Sequence, residues 1–184
     1  MRSEVVEQIV LHFGQKPERD AFADASNARF ERWYGPGSID GEDAFEKNWG
    51  KELLWINPPF DLFNKVLDKI QSDKAHAILI VPRWRNKVFF RRAWGMALDF
   101  LEFPKGTRMF ERQGKFLRGT NWDTFALLVC GHSPKCCIEE LRVRGGSQIV
   151  QKGEGDGGQS ALPPVNCNSP HKGEGEGARQ PHPL

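Results

Sequence analysis

The stretch "ELLWINPPFDLFNKVLDKIQSDKAHAILIVP", residues 52–82, decides the fold. It opens on a short apolar run, Leu53 to Ile56, that reads as a strand. The run stops at Asn57-Pro58-Pro59-Phe60. Beyond it, Leu62, Phe63, Val66, Leu67 and Ile70 fall on one face of a helix, and Asp61 is placed to cap its start. "AHAILIVP", residues 75–82, is then apolar without alternation, as expected of a strand covered on both faces. A strand, a helix and a second strand in succession predict a layered α/β domain with a mostly parallel sheet.

The flanking sequence extends the same alternation. "SEVVEQIVLHFG", residues 3–14, has helical spacing and a glycine stop. "RDAFADA", residues 19–25, reads as a short strand opening into a loop. Residues 28–51 are rich in turn signals, with Gly35-Pro36-Gly37 at their centre. "NKVFFRRAWGMA" predicts a helix, "LDFLEF" a strand and "DTFALLVCG" a last strand that follows irregular sequence and suits an antiparallel position. Residues 145–184 differ in kind: nine glycines, five prolines and the repeat "KGEGDG"/"KGEGEG" leave almost nothing to bury. The expected organisation is a single compact α/β domain over 1–144 and a disordered tail over 145–184.

Composition narrows the class. Of 184 residues, 39% are hydrophobic and 27% charged, which suits a soluble globular chain rather than a membrane or fibrous one. The N-terminal residues lack a signal-peptide pattern, so secretion is not implied; an intracellular setting is expected, the nucleus being one option. The four cysteines have no regular spacing and read as reduced thiols. Cys136 and Cys137 are adjacent, but no second pair accompanies them and His132 alone does not complete a ligand set, so no metal is expected.

Three predicted strands end in polar or rigid groups: Asp20 and Asp24, Asn57 to Phe60, and Pro82 to Arg85. In a parallel sheet these ends converge on the edge where ligands bind. Asn57 offers an amide oxygen and Pro58 a carbonyl whose direction two proline rings restrict. Two such acceptors can take both N–H groups of an exocyclic nucleobase amine and push its nitrogen toward tetrahedral geometry. Phe60 can stack on the base, which must first leave the duplex. The competing reading is an ordinary turn in which Phe60 staples the helix to the core.

"WINPPF" resembles the asparagine/aspartate–proline–proline–aromatic motif of amino-group DNA methyltransferases. Together with "DAFADASNARF" (20–30), "DAFEKNW" (43–49) and "AILIVPRW" (77–84), it is similar to the phage-type, Dam-like adenine-N6 methyltransferases. It also resembles the related segment of tyrosine-recombinase retrotransposon polyproteins. The similarity spans residues 18–130. It implies a Rossmann-like sheet and S-adenosylmethionine-dependent methylation of adenine in DNA. Asn57, Pro58, Pro59 and Phe60 fall on the catalytic motif. Asp20, Ala21 and Phe22 fall where the family binds its cofactor, Asp20 facing the methionine ammonium, and Asp43 where it could contact the adenosine. Asn27 lies in a matching segment without an assigned role. The usual glycine-rich loop is missing; "DAFADAS" stands in its place.

Net charge is +2, but residues 83–118 hold ten basic residues against three acidic ones. Arg83, Arg85, Lys87, Arg91 and Arg92 interleave with Trp84, Phe89, Phe90 and Trp94, a pattern that suits phosphate contact and base stacking. Trp55 and Trp122 read as core. DNA is therefore the expected partner, with other polyprotein domains beside it and no membrane. Two alternatives to catalysis stay open: a non-catalytic nucleic-acid-binding accessory domain of a retrotransposon polyprotein, and a structural remnant without a ligand.

Overall fold

The computed structural model describes residues 1–112 and 115–132; the predicted tail from 145 onward, and Cys136 and Cys137, lie outside them. Chain order is α1 (Ser3–Phe13), β1 (Arg19–Asp20), β2 (Arg32–Trp33), β3 (Leu53–Ile56), α2 (Phe63–Ser72), β4 (His76–Pro82), α3 (Val88–Gly95), β5 (Ala97–Phe103), β6 (Glu111–Arg112), β7 (Lys115–Phe116) and β8 (Thr124–Cys130). Six strands form one mixed sheet in the order β2-β1-β3-β4-β8-β5, and β6 and β7 form a separate two-stranded ribbon. Ladders β2/β1, β1/β3 and β3/β4 are parallel, while β8 runs antiparallel to both β4 and β5.

Strand alternation divides the core into two layers. Leu54, Ile56, Ala77, Leu79, Val81, Phe125, Leu127 and Val129 face α2 and α3, meeting Phe63, Val66, Leu67, Ile70, Phe89, Phe90 and Ala93. Trp55, Ile78, Ile80, Ala126 and Leu128 face the other way, onto Val5, Val6, Ile9 and Phe13 of α1. Both faces of β4 and β8 are thus covered, which is why these strands, apart from His76 and Thr124 at their first positions, are apolar and lack the polar–apolar alternation of a half-exposed strand. Among the described residues no helix is long and apolar enough to cross a membrane.

Local chemistry sets the element boundaries. Gly14 closes α1 in the left-handed region (φ 62°), where a side chain would be strained. Asp61 does not cap α2. Phe60–Leu62 form a 3-10 turn after the two prolines, Leu62 N donates to the Pro59 carbonyl at 3.1 Å, and α2 begins only at Phe63 without a side-chain cap. The turn-rich segment conceals β2, whose two residues pair with β1. Cys130 is disulfide-bonded and not a reduced thiol.

The margin β2-β1-β3 is short of backbone pairing and rich in charge. Arg19, almost fully buried, bonds to Glu52 through Nε and reaches Asp40 at 2.7 Å. Arg32 adds contacts to Asp40 at 3.0 Å and Glu52 at 3.5 Å. The Arg19 guanidinium also lies 4.5 Å from the centre of the Tyr34 ring. Hydrogen bonds from Arg32 and Arg19 hold the Asp40 carboxyl below its ordinary range.

Candidate functional site

β1 is flanked by β2 on one side and β3 on the other, so the chain reverses its direction of travel across the sheet there. A crevice opens at such a switch point, outside the carboxyl ends of the strands. A cavity of about 430 Å³ occupies this position, lined by Asp20, Phe22, Asn27, Arg29, Trp55 and Asn57 to Phe60, and closed by Met1, Phe110 and Glu111. Its size lies within the range of small-molecule sites.

Asp20 ends β1, and the parallel register places it beside Trp55, two residues before Asn57. Its Oδ1 accepts from the Phe22 N–H at 3.1 Å, so part of its role is to turn the chain. Burial pushes its carboxyl up to about 6, against the pull of hydrogen bonds from the Phe22 and Arg29 backbone. The loop that follows is fixed by side chains where glycines would otherwise shape it. Asp24 Oδ1 accepts from Ser26 N at 2.8 Å and Ser26 Oγ at 2.6 Å; Asn27 Nδ2 donates to Asp24 Oδ2 at 2.9 Å and its Oδ1 accepts from Asp24 N at 3.0 Å. Asn27 therefore reaches the cavity wall from a locked turn.

Asn57 is partly exposed at the cavity, and its side chain makes no hydrogen bond among the described residues. Phe60 is 52% exposed. Its ring lies 5.0 Å from Trp84, 5.6 Å from Trp122 and 6.3 Å from Phe63, and Trp84 and Trp122 are 5.2 Å apart. Phe60 thus belongs to an aromatic cluster at the cavity rim, with only one of those rings in the core. Trp122 departs from its expected place: it is half-buried in this cluster, while Trp55 is buried as predicted and also lines the cavity.

The other predicted residues are distributed unevenly. Ala21 is buried in the core and Asp43 is exposed, its Oδ1 accepting from Phe45 N at 2.8 Å to cap a short 3-10 turn; neither lines the cavity. Arg83 to Lys87 follow β4, whose carboxyl end lies on the cavity's side of the sheet because β4 is parallel to β3. Arg85, Lys87 and Arg91 are exposed and form no ion pair among the described residues. Arg83 is already engaged, with Glu102 at 2.6 Å and Asp123 at 3.4 Å, as is Arg92, with Asp68 at 2.6 Å.

Arg29, Phe110 and Glu111 are cavity residues that sequence reasoning passed over. Arg29 pairs with Glu111 at 3.1 Å across a separation of 82 residues, and its Nε is buried without a partner among the described residues. Its place in "SNARF" was the one available signal. The charged groups on the cavity are Asp20, Arg29, Glu111 and the Met1 terminus, with Arg29 already paired to Glu111. No glycine among the lining residues permits a close approach of backbone to a ligand. No protein-family model and no curated protein matches the chain.

Proposed function

We propose that the chain folds as a Rossmann-like methyltransferase domain that transfers a methyl group from S-adenosylmethionine to the exocyclic amine of adenine in DNA. The observation that carries this reading is the meeting of Asp20 and Asn57–Phe60 on one cavity at the sheet's switch point. Asp20 receives the cofactor's ammonium and Arg29 its carboxylate. The cofactor supplies an electrophilic methyl on a positively charged sulfur. Asn57 Oδ1 and the Pro58 carbonyl accept the two N–H groups of the flipped base and so localise the lone pair on its nitrogen. Asn57 is no base, so the displaced proton leaves to solvent. Phe60, Trp84 and Trp122 give the extruded base a stacking surface, and Arg85, Lys87 and Arg91 hold phosphates.

The test is tritium transfer from labelled cofactor to unmethylated DNA, with calorimetric cofactor binding measured alongside. Asn57→Ala is expected to abolish transfer, with a circular-dichroism melt like that of the parent, because the amide makes no hydrogen bond among the described residues. Equal transfer by the variant would remove Asn57 from the mechanism. A second reading rests on the side-chain-locked loop after β1: a domain that has kept the rim for DNA and given up the cofactor. It predicts salt-dependent DNA binding with no cofactor uptake.

A further inference from the structure

At the opposite end of the sheet, β4 begins and β8 ends, and His76 and Cys130 are cross-strand partners in that ladder. His132 follows one residue after Gly131. The Cys130 sulfur lies 3.6 Å from His76 Nε2 and 3.6 Å from His132 Nδ1, and the three candidate ligand atoms all fall within 4.8 Å of one another. Zinc bonds of about 2.3 Å to sulfur and about 2.0–2.1 Å to nitrogen, set at a tetrahedral angle, put sulfur and nitrogen about 3.6 Å apart. Both observed separations match that spacing.

The surroundings hold the three side chains in place. Gly131 N donates to the Ala75 carbonyl at 2.8 Å, and a Cβ on Gly131 would come within 1.9 Å of the Ile70 carbonyl oxygen. Only glycine fits there, so the turn is clamped between the end of α2 and the start of β4. The His132 backbone N–H also donates to the Cys130 sulfur at 3.3 Å, a contact that stabilises a thiolate. The expectation of no metal overlooked His76 because it lies 54 residues from Cys130 in sequence.

We infer that His76, Cys130 and His132 form a zinc-class cation site in the reduced chain. A mixed nitrogen and sulfur set of this geometry selects zinc over harder cations. Neither His76 nor Cys130 is without a partner here, and Cys130 is in a disulfide. Reduction by a dithiol adds two electrons and two protons, breaks the S–S bond and leaves two thiols. As the metal–sulfur bond forms, the Cys130 thiol proton passes to solvent. Water completes four-coordination. Lying at the end of the sheet away from the cavity, the ion pins β8 to β4 and takes no part in methyl transfer, so this inference stands or falls independently of the proposed activity.

The full chain, reduced with a dithiol that is then removed anaerobically, is titrated with zinc and separately with cobalt. One metal per chain is expected, with a thiolate-to-cobalt charge-transfer band and tetrahedral ligand-field bands. His76→Ala and His132→Ala should each weaken affinity at least ~100-fold, beyond what second-shell changes cost. Cys130→Ser should erase the charge-transfer band, and the disulfide form should bind no metal at this site. Absence of stoichiometric binding to the reduced chain, or full affinity in either histidine variant, overturns the site. If a variant does not fold, the cobalt spectrum of the parent decides: bands without thiolate character overturn it equally.

Discussion

A carboxyl held near neutrality by burial gives Asp20 a measurable signature. Between its ordinary value of 3.8 and its folded value of about 6, the native state keeps a proton that the unfolded chain has lost. Stability therefore falls as pH rises through that window, by about 2–3 kcal/mol in total, and is level beyond it. Asp20→Asn can still accept the Phe22 N–H bond but cannot ionise. The stability difference between parent and variant should drift by that amount across the window in urea denaturation, and a flat difference would contradict the burial account. Binding of a cationic head group has the opposite sign: affinity should rise through about pH 6 as the carboxylate forms. At this scale Asn57–Phe60 were legible because they follow an apolar run that must end somewhere, and Asp20 because it opens the short segment "DAFADA" that carries the resemblance. Arg29 and Glu111 were not, since their partnership spans 82 residues and leaves no local trace.

Among the elements, α3 and the turn before it carry the charge argument. Arg85, Lys87 and Arg91 are exposed and unpaired among the described residues, whereas Arg92 is tied to Asp68 of α2. Replacing the first three by alanine should lower the slope of log affinity against log salt by about one for each cation that touches phosphate. Arg92→Ala should leave the slope unchanged. Equal slopes for the triple variant and the parent would assign those cations to solvent. The helices were readable because their apolar faces repeat at helical spacing, and β4 and β8 because burial on both sides removes polar residues from the six positions after the first. β2 has two residues, too few for any periodicity, and register with β1 defines it, while the strand read at 19–25 ends already at Asp20. The start of α2 was misplaced because the two prolines impose a 3-10 turn that outweighs the capping tendency of Asp61.

The whole molecule shows two kinds of cohesion. Its centre is held by apolar packing on both faces of the sheet, and its β2-β1-β3 margin by the charges around Arg19. Arg19→Ala leaves Asp40 and Glu52 facing each other with only Arg32 for compensation. A loss of about 3–5 kcal/mol is expected in chemical denaturation, the range for breaking one side of a buried pair. A loss below 1 kcal/mol would show that the margin contributes little. The two outer strands also differ in the opportunity they offer a second chain. β2 presents two residues, too short a template for intermolecular strand addition, while β5 presents seven. Its irregular register between Ala97 and Asp99 interrupts that template near its start, so among the described residues protection against edge-to-edge fibre growth rests on a single kink and on the strand's two carboxylates, Asp99 and Glu102.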